Sequence, residues 1–371
     1  MMSAEIRIPT DLLPSDGRFG SGPSKVRTAQ LDALQAASKT ILGTSHRQNA
    51  VKSQVGRLRD GLTNLYQLPD GYEVVLGNGG STAFWDIATF QLIEESAQFL
   101  SFGEFGAKFA SGAKAAPHLA DPSIVTAEPG DAPDFQPNAN FDTYCTPHNE
   151  TSTGVAIEIK RPSSDGLMVV DATSAAGGLA VNPNQFDVYY FAPQKSFGSD
   201  GGLWIAIMSP TAIARVEKIN QAKRWTPAFL DLSIAIENSR LNQTYNTPAV
   251  ATIVMMAAQL DWMNENGGIN WCAKRTADSA ERLYSWAERN PLTTPFVSDS
   301  TKRSKVVGTI DFVDEIDATQ ITKVLRANGI LDVEPYRKLG RNQIRVAMFP
   351  AVEPEDVTKL TKSIDFVVSN L

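Results

Sequence analysis

Short apolar runs, each stopped by a glycine or a polar turn, alternate with helix-like segments from about Glu73 to Ser209, and few folds accept that alternation. "YEVVLG" (Tyr72 to Gly77) reads as a strand and Thr82 to Glu95 as a helix. "GLMVVDA" (Gly166 to Ala172), "DVYYFAP" (Asp187 to Pro193) and "GLWIAIMS" (Gly202 to Ser209) read as three more strands. Runs so continuously apolar suit a sheet covered on both faces, as in an α/β domain. Helical patterns then dominate from Pro210 to about Asn290. "KVVGTIDFV" (Lys305 to Val313), a helix near Ala318 to Asn328 and "QIRVAMFP" (Gln343 to Pro350) follow as a β-α-β series. The pattern predicts a large domain over 1–264 and a smaller α+β domain over 265–371. The division falls near "NENGG" (Asn264 to Gly268), with the long helix after it open to either half.

Charge and cysteine usage narrow the partners. Forty-one acidic against 34 basic residues, spread without long runs, give a net charge of -7 and no footprint for nucleic acid or an anionic membrane surface. The most membrane-like stretch, "VATIVMMAAQL" (Val250 to Leu260), is well short of the ~20 apolar residues of a span and reads as a buried helix. Cys145 and Cys272 lie far apart, and the first residues carry acids and prolines where a secretory signal would be apolar, so a reduced, cytoplasmic setting is expected. Cys145 and His148 have a metal-like spacing, but no second ligand pair follows, and no metal site is expected. A G-x-S-x-G hydrolase elbow is also missing.

Three strand ends carry chemistry. In "LGNGGSTAF", Gly77 to Gly80 precede Ser81 and Thr82 at a helix start, where free backbone N–H groups and hydroxyls could cradle a phosphate or merely cap the helix. Thr82 stands where a dinucleotide fingerprint needs its third glycine, which argues against a nicotinamide enzyme. Asp171 closes "LMVVD", a position for a ligand contact or for a turn cap. Lys195 leaves the apolar run "YYFAPQ" into a glycine-rich turn, either as a surface lysine or as a desolvated, nucleophilic amine. An anion cradle, a carboxylate and an imine-forming lysine are together what pyridoxal phosphate requires.

These residues belong to a set of motifs, "FGSGPSKV", "TSHRQ", "GNGGST", "HNETSTG", "VVDATSA", "APQKSFG", "YNTPAV" and "IRVAMFP". Through them nearly the whole chain resembles the phosphoserine aminotransferases, pyridoxal-phosphate enzymes of aminotransferase class V and fold type I. Its divergent loops are most similar to the actinobacterial branch. The resemblance implies a large domain with a mixed, mostly parallel seven-stranded sheet and a smaller C-terminal domain. It makes Lys195 the imine-forming lysine and Asp171 the partner of the pyridine nitrogen. Thr151 would meet the ring hydroxyl, and Gly80, Ser81 and Gln194 the cofactor phosphate. Asn246 and Thr247 would reach that phosphate from a neighbouring subunit, so a homodimer with shared active sites is implied.

Two positions depart from the family pattern: Phe105 stands where many relatives stack a tryptophan on the ring, and Ser81 where many have an arginine. For the substrate, the resemblance assigns the α-carboxylate to Arg345 and the distal anion to Arg47, with His46 beside it. Arg337 would be a second distal contact, although Tyr336 before it replaces a common histidine. The segment around Ser21 would fold over the substrate mouth. The implied reaction is reversible transamination between O-phospho-L-serine and 2-oxoglutarate, giving 3-phosphohydroxypyruvate and L-glutamate in L-serine biosynthesis. Phosphohydroxythreonine of pyridoxine biosynthesis stays open as another substrate. A serine–pyruvate or alanine–glyoxylate aminotransferase is the alternative, separated by whether Arg47 meets a phosphate. A cysteine desulfurase would need a thiol on a mobile loop, whereas Cys272 sits in the helical pattern "INWCAKR".

Overall fold

The computed structural model describes residues 6–371. The first five residues, where the stretch read for a secretory signal begins, lie outside the described residues. After an extended N-terminal segment come α1 (Thr28–Ala37) and α2 (Asn49–Tyr66), then β1 (Glu73–Asn78), α3 (Ser81–Gln91), β2 (Ala97–Ser101), α4 (Glu104–Ala115) and β3 (Ser123–Thr126). The chain continues through β4 (Thr143–Pro147), a small hairpin of β5 (Asn149–Glu150) and β6 (Val155–Ala156), β7 (Leu167–Asp171), β8 (Val188–Phe191) and β9 (Leu203–Met208). Four helices follow: α5 (Pro210–Gln221), α6 (Leu232–Arg240), α7 (Val250–Glu265) and α8 (Gly268–Arg289). The chain ends with β10 (Thr293–Pro295), β11 (Val307–Phe312), α9 (Ala318–Ala327), β12 (Gln343–Ala347) and α10 (Pro354–Val368).

Seven strands form one sheet in the order β1-β9-β8-β7-β4-β2-β3, and only β9 runs against its neighbours. The expected mixed, mostly parallel sheet is therefore present. The central strands β8 and β9 are apolar and buried at every position because both faces are covered. Val188 and Tyr190 of β8 pack toward α3 and α4, while Tyr189 and Phe191 pack toward α2 and α7. Burial of each such side chain contributes about 1.5–3 kcal/mol, which holds these short strands against the entropy of ordering them. No helix among the described residues is long and apolar enough to cross a membrane.

One predicted helix is shorter than expected. Instead of reaching Glu95, α3 ends at Gln91, because the Asp142 carboxylate takes the amides of Glu94, Glu95 and Ser96 at 2.7–3.0 Å. The Arg224 guanidinium meanwhile donates to the carbonyls of Phe90 and Ile93. These side chains satisfy groups that another helical turn would have used.

The second sheet, β10-β11-β12, is antiparallel throughout and packs on α8, α9 and α10. Packing crosses the expected division near Asn264 in both directions. Helix α8 joins the two units, with Cys272 in the large core and Ala280, Leu283 and Ala287 in the small one. Ile8 and Phe19, early in sequence, lie in the small core, and Phe19 bonds through its backbone to Leu331 and Ala347. The N-terminal segment thus straps the second unit before the chain enters the first.

Candidate active site

Strands β1, β2, β4, β7 and β8 all point the same way, so the loops leaving their carboxyl ends gather at one edge of the sheet. There they enclose a cavity of about 210 Å³ lined by Gly79 to Thr82, Trp85, Phe105, Pro147, Asn149, Thr151, Asp171, Thr173, Gln194 and Lys195. Seven of the residues singled out in the sequence, Gly80, Ser81, Phe105, Thr151, Asp171, Gln194 and Lys195, are brought together here.

Lys195 owes its position to a tight turn and to the N-terminal segment. The turn is closed by Gly198 N donating to Lys195 O (2.9 Å) and Ser199 N to Pro193 O (3.1 Å), while Ser24 N donates to Gln194 O (3.0 Å) and its hydroxyl to Lys195 O. The Lys195 amine donates to Ser21 O at 2.5 Å. Gly22 follows with φ +130°, and a Cβ there would sit 2.3 Å from Lys195 Nζ, so glycine is what lets this segment lie against the lysine. Burial pushes the amine down to about 8. The positive charge of Arg345 acts in the same direction, and Asp171 and Glu150 partly oppose both.

Asp171 is buried at the tip of β7 and held from three sides. Its Oδ1 accepts from Thr173 N (2.9 Å) and the Thr173 hydroxyl (2.5 Å), and its Oδ2 from Trp85 Nε1 (3.0 Å). It closes a local turn, the capping use foreseen for it, and it also lines the cavity. Ser81 Oγ lies 2.7 Å from the same Thr173 hydroxyl. With Gly80 as its N-cap, α3 turns its first amides and the positive end of its dipole toward the cavity.

On the other wall, the Thr151 and Asn149 side chains each donate to Ser174 Oγ at 2.8 Å. Arg345 arrives from β12 of the small unit, donates from Nη1 to Thr151 O (3.3 Å) and lies 5.4 Å from the centre of the Tyr336 ring. No carboxylate pairs with it among the described residues, its Nε is buried without a partner, and burial lowers its pKa. A guanidinium so placed is costly unless an anion joins it. The Phe105 ring is 6.1 Å from that of Tyr336.

Arg47, His46, Asn246 and Thr247 gather elsewhere, in an adjoining patch outside the cavity lining. Arg47 donates to Gln243 Oε1 (2.6 Å) and Tyr245 O (3.3 Å), and the Thr247 hydroxyl lies 3.2 Å from His46 Nδ1. Asn78, at the tip of β1, donates to Asn246 Oδ1 (2.7 Å) and Thr247 O (3.0 Å), which sets the patch beside the phosphate-type loop. Arg47, Asn246 and Thr247 are exposed, and desolvation with the Arg47 charge lowers the pKa of His46. Arg337 is also exposed and does not line the cavity.

The rival chemistries find little support. His148 is buried against Tyr189 OH (3.0 Å), and burial pushes it down to about 3. Cys272 is packed inside α8, where burial raises its thiol to about 12, the opposite of a reactive thiolate. Trp85, Asn149, Thr173 and Glu150 of the site were not singled out in the sequence. Trp85 had a signal, since it falls one helical turn beyond Ser81 and so shares its face.

Residues 138–333 match the family described as Aminotransferase class-V. The chain is 60% identical over 370 residues to a putative phosphoserine aminotransferase of Mycobacterium sp. (strain KMS), covering 99% of this chain and 100% of that one. It is 60% identical over 366 residues to the phosphoserine aminotransferase of Rhodococcus opacus (strain B4), covering 98% of each. In fold it is similar to the crystal structure of a phosphoserine aminotransferase from Cytophaga hutchinsonii, with a TM-score of 0.88 at 23% identity over 94% of this chain and 99% of that one.

Proposed function

The chain belongs to the class-V aminotransferases, and we propose that it exchanges an amino group between O-phospho-L-serine and 2-oxoglutarate, with pyridoxal phosphate as cofactor. The observation that carries this reading is Lys195, a desolvated amine at a strand end, sharing one cavity with Asp171 and the start of α3. Gln194 Oε1 and Asn149 Oδ1 line that cavity buried and without a protein partner, and Arg345 Nε beside Thr151 is likewise unpaired, so polar groups wait there for a ligand. The donor set suits the cofactor. Gly80, Ser81 and the amides opening α3 would hold the phosphate, Asp171 the proton on the ring nitrogen, Thr151 the ring hydroxyl, and Phe105 a ring face.

When bound, pyridoxal phosphate supplies an electron sink that acidifies the Cα–H of an amino acid. Lys195 Nζ would hold the cofactor and, when free, would carry the proton at Cα; burial lowers this amine to about 8, which favours the free base such a transfer needs. Arg345 orients the α-carboxylate, and its fork would pair with that anion in place of the missing protein carboxylate. The segment at Ser21 and Gly22 covers the lysine and keeps bulk water from it.

The distal anion requires a second chain in this proposal. Arg47 is anchored to the same loop as Asn246 and Thr247, outside its own cavity, so all three would serve the site of a partner subunit in a homodimer. Exposed Leu241 and Tyr245 beside them would be covered in that dimer. We place the enzyme in the cytoplasm and in L-serine biosynthesis. Phosphohydroxythreonine of pyridoxine biosynthesis, with the same carboxylate, amine and phosphate, would be a second substrate.

The test is the visible colour of purified protein supplied with pyridoxal phosphate. O-phosphoserine should bleach it and 2-oxoglutarate should restore it. Bleaching by alanine or serine but not by phosphoserine would contradict the substrate, and a protein that takes up no cofactor would contradict the whole assignment.

A further inference from the structure

Glu150 is the only acid in "HNETSTG" and is 0% exposed. Both its oxygens are engaged: Oε1 accepts from the Ser152 amide (3.2 Å) and hydroxyl (2.7 Å), and Oε2 from the amides of Phe105 and Gly106 (3.1 Å each). Ser152 Oγ in turn accepts from Glu104 N at 3.0 Å. Three successive amides that open α4 are therefore satisfied by a turn 44–48 residues away in sequence. The N-cap itself is Gly103, which has no side chain to offer, and a Cβ there would lie 2.2 Å from Glu150 Cγ.

A serine or aspartate at position 103 could cap α4 locally. Burying a carboxylate to do so from β5 is more costly, but it joins two parts of the cavity wall that a local cap would leave independent. One part carries Phe105. The other carries Thr151 and is fixed to the small unit by Arg345 on Thr151 O, the Thr309 hydroxyl on Thr153 O (2.9 Å) and Ser304 N on Gly154 O (2.9 Å).

We propose that Glu150 is a positioning residue for the cofactor, clamping the Phe105 end of α4 to the Thr151 turn so that ring face and hydroxyl are presented as one rigid unit. The proposal rests on the pyridoxal-phosphate reading above. Its role is exerted through other residues, since its own oxygens are fully engaged.

A double-mutant cycle on cofactor affinity tests it, with pyridoxal phosphate titrated into apoprotein and binding followed by tryptophan fluorescence. Glu150→Gln keeps the size but turns an amide N–H2 toward backbone donors, and it should weaken binding about tenfold or more. Phe105→Leu should weaken it less, and the double variant should bind about as well as Glu150→Gln alone, because both changes act through the same ring. Additive losses, or a Glu150→Gln affinity within about twofold of wild type, would overturn the proposal. If Glu150→Gln does not fold, Ser152→Ala replaces it in the cycle, with a smaller loss and the same non-additivity expected. Wild type that fails to load cofactor at Lys195 would overturn the underlying reading as well, whereas normal loading beside an unaffected Glu150→Gln overturns this inference alone.

Discussion

Around Lys195 the groups proposed for chemistry are tied into the frame of one chain, its amine to Ser21, its turn to Ser24, Asp171 to Thr173 and Trp85, and Thr151 to Ser174, while Gln194 Oε1, Asn149 Oδ1 and Arg345 Nε are left for a ligand. Around Arg47 the arrangement is open. Its guanidinium rests on Gln243 and Tyr245 at an exposed surface, with Asn246 and Thr247 beside it and no enclosed space of its own. On the proposed function the first region would do chemistry on a bound ring, while the second would be completed by a partner subunit docking against it. Catalytic power and phosphate selectivity would then reside in different surfaces, and they should fail separately.

The largest separation should come from Lys195→Ala. Loss of the imine-forming and proton-carrying amine is expected to slow the half-reaction with phosphoserine by about 10³-fold or more, read by single-turnover absorbance. Arg345→Ala should come next, because leaving a substrate carboxylate unpaired costs ~2–5 kcal/mol, or roughly 10²-fold in kcat/KM. That loss should fall on phosphoserine and 2-oxoglutarate alike, since both carry an α-carboxylate. A loss confined to one of them would move Arg345 out of the shared role. Arg47→Ala should reduce kcat/KM for phosphoserine by more than about tenfold, and by less for an unphosphorylated analogue. Equal losses with both would dissolve the contrast drawn between the two regions.

The same contrast explains what could be read from the sequence. Asp171 and Lys195 stood out because each ends an apolar run, and the period-free burial of β7 and β8 on both faces makes such runs visible. Strands β2 and β4 were not foreseen; "AQFLS" and "TYCTP" are short and mix polar residues into positions that are buried nonetheless. Glu150 carried the same kind of signal as Lys195, a lone charge in an uncharged stretch, but its meaning depends on α4, whose amides it reaches only through the tertiary fold. The outward placement of Arg47 was beyond reach for a similar reason. Nothing local in "TSHRQ" tells whether its guanidinium faces its own cavity or away from it.

The effect most specific to the enclosed region is in pH. On the proposed function the neutral amine of Lys195 would be the nucleophile for cofactor uptake, and burial lowers it to about 8. Below that value the free-base fraction grows with pH, so the rate of pyridoxal phosphate uptake by apoprotein should rise about tenfold per pH unit and level off above it. A rise that continues toward the ordinary lysine range would mean the amine is solvated in the free protein.

The most direct test of a site divided between chains is subunit mixing. Lys195→Ala and Arg47→Ala proteins, each impaired with phosphoserine, are unfolded and refolded together in equal amounts. If Arg47 serves the partner's Lys195, half the dimers are mixed and each holds one intact site, so activity should recover to about a quarter of wild type. Activity no higher than the average of the two separate variants would contradict the divided site and return Arg47 to its own chain.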